Sequence, residues 1–246
     1  MAATDHGDLR DTTALVTGAT SGIGRAIAVR LASEGADVMV HGRDGGRGAE
    51  TVEAITAAGG RARLVTADLS DPAAIGRLAD DAGDIDVLVN NAGHAVFGAT
   101  ADLDPDAFDA MFASNVRAPY FLVAAFAPGM AARRSGSIVN VSSMAARVGL
   151  AGGAAYGATK GALESMTRSW AAEFSPSGVR VNAVAAGPAY TGGAPAERTE
   201  ALGRTTLLSR AAAAEEIAEV VGFLASPRAS YVTGAVIAVD GGRSAI

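Results

Sequence analysis

Tyr156 and Lys160 stand four residues apart in the stretch GGAAYGATKGALE (residues 152–164), and Lys160 is the one lysine among 20 Lys and Arg residues. In a helix, positions i and i+4 share a face. A phenol with an ordinary pKa of about 10 is un-ionised at neutral pH. A neighbouring ammonium favours the phenolate, and a cationic nicotinamide ring would add to that. Such a tyrosine can give a proton to a ketone oxygen during reduction, or take one from an alcohol during oxidation. Lysine offers a compact charge with three rotatable donors, suited to gathering ribose hydroxyls, where arginine offers a flat fork. That accounts for one lysine in an arginine-rich chain; the plain alternative is an ordinary exposed helix pair.

Two more polar residues are placed to take part. Ser143 closes the apolar run GSIVNVSS (136–143), and strand C-terminal ends of an open parallel sheet line the ligand crevice. Its hydroxyl can hold a substrate oxygen and steady the charge developing there. Ser142 should point to the opposite face, because side chains alternate along a strand. Asn115, in ASNVRAP, lies within a long helical pattern where Asn is a mediocre helix former. A functional polar role, a water at a local helix distortion, or a harmless interior Asn would each explain it.

The other end of the chemistry is a phosphate cradle. TGATSGIG (17–24) follows the first apolar run and opens the first helix, and it supplies Gly18, Thr20, Ser21, Gly22, Ile23 and Gly24. The glycines allow a tight turn and close approach to a pyrophosphate, and the helix N-terminus offers free N–H groups. The spacing G-x-x-x-G-x-G differs from the usual dinucleotide fingerprint, and close helix packing alone also demands glycine.

The second strand pattern ends VMVHGRDGGR, with Gly42 at the tip and Arg43 next. An acid there would bind a ribose 2′-hydroxyl, whereas an arginine accommodates a 2′-phosphate. The reading is NADP(H), with NAD(H) as the other possibility. Asp44 either faces a ribose or pairs with Arg43. Asp68 either meets the adenine edge or caps the next helix, and Leu69 can offer its backbone. In NNAG (90–93), Asn91, Ala92 and Gly93 bring the chain close to a ligand, and the two asparagine side chains can tie neighbouring strand ends together.

These residues need a scaffold. Seven short runs rich in Val and Ile (12–18, 37–42, 62–68, 86–93, 136–143, 179–187 and 235–242) alternate with helical patterns at 22–34, 48–58, 72–82, 105–133, 154–174 and 214–225. Alternation of this kind predicts an α/β fold: one doubly wound, Rossmann-like domain over residues 1–246, with a seven-stranded parallel sheet covered by helices on both faces. Asp71-Pro72 and Asp104-Pro105 read as helix starts. The segment 188–206, rich in Gly, Pro, Thr and charge, is the candidate substrate lid.

Composition narrows the classes. There is no cysteine, so neither a disulfide nor a thiolate site. His6, His41 and His94 show no ligand spacing, so no metal is expected. A net charge of −6 with no clustered basic face argues against nucleic acid. No apolar run approaches the ~20 residues of a membrane span, and MAATDHGDLRD is unlike a secretory signal. The expectation is a soluble cytoplasmic protein.

Taken in order, TGATSGIG, NNAG, Asn115, Ser143, YGATK and VDGG resemble the short-chain dehydrogenase/reductase family in its compact form, over residues 11–242. The resemblance implies a seven-stranded Rossmann-like fold and hydride transfer between NAD(P)H and a carbonyl. It implies a catalytic tetrad of Asn115, Ser143, Tyr156 and Lys160. It also implies a homotetramer, or homodimer, paired through 105–133, 154–174 and the C-terminal segment. The family's Pro-Gly after the sixth strand is here Ala186-Gly187-Pro188. Gly187, the backbone near Ala189 and the Thr191 hydroxyl remain placed for the carboxamide and phosphates, on a looser turn.

The substrate read from this is a small or medium apolar ketone, or the matching secondary alcohol. Loop position puts Met144, Ala145, Ala146, Leu150, Ala151, His94, Val96 and Tyr190 at the pocket wall, with His94 either binding a polar group or facing water. The chain also resembles 3-oxoacyl-carrier-protein reductases, which often carry two arginines for the acidic carrier; one position matches Arg134, the other is Ser177. A half-kept basic patch on an acidic protein weakens that reading. A non-catalytic nucleotide-binding regulator on the same fold is the third possibility, disfavoured by the intact tetrad.

Overall fold

A computed structural model describes residues 8–193 and 195–246. The N-terminal stretch 1–7, with His6, and Ala194 within the 188–206 segment lie outside the described residues.

Among the described residues nine strands form: β1 (Thr13–Val16), β2 (Asp37–Gly42), β3 (Arg61–Thr66), β4 (Val87–Asn90), β5 (Gly136–Ser143), β6 (Val179–Ala186), β7 (Ala189–Tyr190), β8 (Ala212–Ala213) and β9 (Val236–Val239). Seven of them make one sheet in the order β3-β2-β1-β4-β5-β6-β9, every pairing parallel. The connection sense reverses between β1 and β4, which opens a crevice at their C-terminal ends. Both strands are buried almost throughout, so their sequences, TALV and VLVN, are near-continuous apolar runs rather than alternating ones.

Helices α1 (Gly22–Ser33), α2 (Gly45–Ala57), α3 (Pro72–Ala82), α4 (Pro105–Phe112), α5 (Ala118–Arg133), α6 (Ala154–Phe174), α7 (Ala196–Gly203) and α8 (Ala214–Ala225) supply the crossovers. They bury two separate apolar layers. Ile27, Leu31, Ile217, Val221 and Leu224 pack on one face of the sheet. Leu78, Leu122, Phe126, Met130, Leu163 and Trp170 pack on the other. Each methylene so removed from water contributes about 0.8 kcal/mol, and the alanine-rich helix faces let the layers approach closely.

Local chemistry sets the helix starts. Asp71 accepts a hydrogen bond from Ala73 N–H at 2.9 Å, with Pro72 in the first turn. Asp104 precedes Pro105 but makes no such bond, so only the proline half of that signal operates. Asp44 accepts from Arg47 N–H at 3.1 Å and starts α2 at residue 45, three earlier than the pattern suggested.

Three expectations change. The helix over 105–133 is interrupted by a π turn, Ala113–Arg117, that contains Asn115. The 188–206 segment holds two regular pieces: Ala189–Tyr190 form β7, paired with β8, and α7 follows at Ala196–Gly203. The stretch Pro105–Arg133 is, by length and composition, long and apolar enough to cross a membrane. Its Met111, Leu122, Val123, Ala127 and Met130 are instead at most 1% exposed within this fold.

Candidate active site

The glycine-rich turn is built from backbone that no side chain would allow. Gly18 and Gly22 have φ of 64° and 52°, values that L-residues rarely adopt. A Cβ at Gly18 would lie 2.9 Å from Ala92 Cα, and one at Gly22 2.9 Å from Thr191 Cβ. A Cβ at Gly24 would run into the Gly18 carbonyl and the Asn91 amide. Ser21 precedes α1 without capping it through its side chain, so the first-turn N–H groups remain available to an anion. Thr20 fills the space beside Gly42, where any Cβ would strike its methyl group.

Side chains of the strand ends hold this turn against its neighbours. Asn91 donates to the carbonyls of Thr17 (2.9 Å) and Gly18 (3.2 Å), joining β4 to β1. Asn90 donates to Asn140 Oδ1 at 2.8 Å, joining β4 to β5. His41 completes the brace: its Nδ1 accepts from Gly18 N–H at 3.3 Å, so Nε2 carries the proton that reaches the Ala67 carbonyl at 3.2 Å. Burial lowers its pKa to about 4, against which the Ala67 bond pulls upward, and the ring is neutral at ordinary pH.

At the other end, Ser143, Tyr156 and Lys160 converge. Lys160 Nζ is buried, donates to the Val141 carbonyl at 2.9 Å and lies 5.9 Å from the centre of the Tyr156 ring. Among the described residues that is its one hydrogen bond, which leaves two donors unspent. Ser143 Oγ accepts from Ala145 N–H at 3.2 Å, and its hydroxyl faces the Tyr156 phenol.

Asn115 is 1% exposed and fully engaged. It donates to the His94 carbonyl (2.9 Å) and Thr159 Oγ1 (3.1 Å), and accepts from His94 N–H (3.1 Å). The π turn brings it to the loop after β4 and ties that loop to α6. A Cβ on Gly93 would sit 2.6 Å from Asn115 Oδ1 and 3.8 Å from Lys160 Nζ, so Gly93, Asn115 and Lys160 meet at one point.

The electrostatics differ from the sequence expectation. Burial raises the Tyr156 pKa above 10.0, with the Ser143 hydroxyl pulling it partly back. Burial also lowers Lys160 to about 8. The ammonium therefore does not by itself bring the phenol towards ionisation: both groups are shifted towards their neutral forms by the same loss of water.

Around this centre, Ser142 points away into the protein, where it donates to Glu164 Oε1 at 3.1 Å and to the Lys160 carbonyl at 3.3 Å. Arg43 is exposed, and Asp44 pairs with Arg47 at 2.8 Å rather than with Arg43. The Ser70 bonds chiefly lower the Asp68 pKa and burial chiefly lowers that of His94, and the Arg43 charge adds to both. Asp68 does not cap α3; its Oδ1 accepts from Ser70 N–H (3.0 Å) and Ser70 Oγ (2.8 Å). Leu69 is buried, and Gly187 lies so close to Asp240 that a Cβ would be 2.5 Å from its Cα. Ala189 is half-buried in β7, Thr191 closes over Gly22, and Ala145, Leu150 and His94 line the loops above the sheet. Met144 is buried and Tyr190 is 47% exposed.

Three residues of the site escaped the sequence reading. His41 sits in an apolar strand, where only its rarity was a signal. Glu164, one turn beyond Lys160, is 7% exposed and meets Ser142 and Arg147. Phe97 packs on Tyr156 with ring centroids 5.6 Å apart; the reading took its neighbour Val96 for the wall.

A doubly wound sheet with a glycine-rich anion cradle at its switch point and a Ser–Tyr–Lys cluster beside it defines an oxidoreductase of alcohols and ketones. Comparison with known proteins agrees. Residues 18–244 match the family model described as "Enoyl-(Acyl carrier protein) reductase". The chain is 41% identical over 242 residues to cis-4-hydroxycyclohexanecarboxylate dehydrogenase of Sinomonas cyclohexanicum, covering 95% of this chain and 96% of that one. A solved short-chain dehydrogenase/reductase family protein superimposes with a TM-score of 0.91 at 52% identity, over 97% of this chain and 100% of the other. The angucycline C-6 ketoreductase LanV, solved with bound NADP, gives 0.90 at 38% identity over 98% of each chain. The chain belongs to the short-chain dehydrogenase/reductase family.

Proposed function

We propose that this protein is an NADP(H)-dependent enzyme interconverting a ketone and a secondary alcohol, with Tyr156 as the general acid and base. The observation that carries the reading is the buried Lys160 ammonium, held on the Val141 carbonyl beside the Tyr156 ring with two donors in reserve. Burying a cation without a carboxylate is costly, and a site that must gather ribose hydroxyls is a reason to bear that cost. When bound, the nicotinamide dinucleotide supplies or accepts the hydride.

The chain's own residues do the rest. Gly18, Thr20, Ser21, Gly22, Ile23 and Gly24 cradle the pyrophosphate; Arg43 takes the 2′-phosphate; Asp68 and Leu69 meet the adenine. Asn91, Ala92 and Gly93 back the ribose, and Gly187, Ala189 and Thr191 hold the carboxamide and phosphates. In reduction, Ser143 turns its O–H to the carbonyl oxygen and Tyr156 delivers the proton from its phenol, which burial keeps on the oxygen. In oxidation the same proton returns to Tyr156. Asn115 fixes the loop that carries Gly93 and His94. The bound NADP of LanV and the absence of an acid at Gly42 both support the 2′-phosphate assignment.

The name of the Sinomonas relative points to a ring-borne secondary alcohol, in accord with a small or medium substrate. The family description names an acyl-carrier protein, which keeps that substrate class as the second reading. Gly178 packs against the Arg134 carbonyl, so Ser177 and Arg134 lie close together and only one of them is basic. An acidic carrier finds half a patch there. Assembly into a homotetramer follows the same reading: Tyr120 and Phe121, 51% and 44% exposed, flank a groove of about 560 Å³ between α4, α5 and α6.

The test is oxidation of NADPH with a panel of cyclic ketones and acyl thioesters, wild type beside Tyr156→Phe. Turnover of ketones that vanishes in the variant supports the reading. Tight NADPH binding with no turnover on any member would make the protein a nucleotide-binding regulator instead.

A further inference from the structure

The mouth of the cleft carries a cation that the mechanism does not use. Phe97, in the loop after β4, leans on Tyr156 with ring planes at 54°. On Phe97 lies Arg198 of α7, its guanidinium carbon 4.6 Å from the ring centroid. The two separations keep the guanidinium within about 10 Å of the centre of the Tyr156 ring. We propose that Arg198 is the specificity residue for an anionic substrate: its fork takes the carboxylate of a keto or hydroxy acid whose reacting carbon sits at Tyr156. The inference rests on the oxidoreductase reading above and deepens it.

The stack is held from both sides. Gly98 N–H donates to the Gly152 carbonyl at 3.0 Å, so the loop bearing Phe97 is pinned to the loop that leads into α6. Gly153 lets the ring approach, since a Cβ there would already be 3.4 Å from Phe97 Cε1. On α7, Thr199 is buried and donates to the Pro195 carbonyl at 3.3 Å. Gly203 is pressed against the backbone of Arg210 and Ala211. Arg198 therefore projects from an anchored helix onto an anchored ring.

Its charge is not spent among the described residues. The ion pair that α7 does form joins Arg204 to Glu200 at 2.9 Å; Arg198 makes none among the described residues. A guanidinium held over an aromatic ring by its charge leaves an N–H edge for other partners. That edge matches a carboxylate with two parallel hydrogen bonds. Because Arg198 and Tyr156 each pack on Phe97 and are distinct contacts of that ring, a substrate with a spacer, such as a ring, between its acid group and its reacting carbon suits the pair.

The experiment compares matched substrates on the full-length protein with NADPH: 4-oxocyclohexanecarboxylate, its methyl ester and 4-methylcyclohexanone. The wild type should prefer the acid, and Arg198→Gln should lower kcat/KM for the acid by about tenfold or more, with the two neutral ketones within about threefold. Arg198→Lys should recover part of the loss, since it restores the charge without the flat fork. Raised salt should increase KM for the acid alone. Because Arg198 is exposed, folding is checked by the melting temperature of each variant. Turnover of the neutral ketones with no preference for the acid, or an equal loss on all three in Arg198→Gln, overturns this inference and leaves the oxidoreductase reading standing. Failure of every ketone to turn over removes both.

Discussion

Lys160 hangs from the Val141 carbonyl at 2.9 Å, so the lysine of α6 is registered against the strand that ends in Ser143. This contact fixes where the ammonium sits, buried at the end of a long, slender side chain. Lys160→Arg should keep the charge yet lose about a hundredfold or more in kcat/KM, because a planar fork cannot occupy the same buried point and still present free donors. Full activity in that variant, measured as NADPH oxidation, would refute the role given to the lone lysine.

The same burial makes a thermodynamic prediction. Lys160 has its folded-state pKa lowered from 10.5 to about 8 by loss of water. Below pH 8 the folded protein carries a buried charge that the unfolded chain solvates freely. Between about 8 and 10.5 the unfolded chain binds more protons than the folded one, so this group's contribution to stability rises with pH. Lys160→Met removes the term. The melting temperature of the variant relative to wild type should be highest at pH 7 and fall as pH is raised towards 10; a difference independent of pH would contradict the shifted lysine.

His41 carries the same kind of signal at lower pH. Its pKa falls from 6.5 to about 4 because the ring is buried between the Gly18 amide and the Ala67 carbonyl. Stability from the neutral ring is fully present above pH 6.5 and is lost as pH drops through 4, a term on the order of 3 kcal/mol. His41→Asn should flatten the acid limb of the stability curve. It should also raise KM for the dinucleotide more than it lowers kcat, because the glycine turn loses its brace. An unchanged acid limb in urea melts between pH 4 and 7 would show that His41 is not held neutral.

These residues also mark where the sequence was readable and where it was not. The sheet was legible because parallel strands buried on both faces must be written as runs such as TALV and VLVN, and β2, β5 and α6 fall within a residue of where those patterns end. The cradle and the Tyr156–Lys160 pair were legible because their geometry is local: a turn, and one helical step. The π turn at Asn115 was not, since nothing in ASNVR distinguishes an i+5 from an i+4 bond until His94 and Thr159 arrive from elsewhere. The helix at 196–203 was hidden by the Gly and Pro before it. The direction of the Tyr156 shift was missed because a pairwise view counts the ammonium and overlooks the water removed from both groups.

Tyr156→Phe deletes one oxygen and, with it, the proton donor. Turnover should fall by about 10²–10⁴-fold, with the Kd for NADPH changed less than about threefold. With the phenol pKa raised above 10.0, reduction by the wild type should hold its rate through neutral pH, while oxidation of an alcohol should climb as pH rises towards the phenol's pKa. A pH profile of oxidation that is flat from 6 to 10 would mean that another group takes the proton.

Cofactor choice turns on two adjacent positions. Arg43 is exposed and makes no ion pair with Asp44, which is committed to Arg47 and to the start of α2. Removing it in Arg43→Ala should therefore weaken NADPH by about tenfold or more, the worth of a charge-assisted hydrogen bond, and leave NADH within about twofold. Adding an acid is a different matter. A side chain at Gly42 would strike the Thr20 methyl group, so Gly42→Asp must displace the residue that sits between the first two glycines of the cradle. That variant should lose affinity for both dinucleotides rather than exchange one for the other, and it should melt at a lower temperature. Titration of each reduced dinucleotide, followed by protein fluorescence, separates the outcomes: a clean switch to NADH in Gly42→Asp would show that Thr20 yields without cost, and equal losses of NADPH and NADH in Arg43→Ala would place the 2′-phosphate elsewhere.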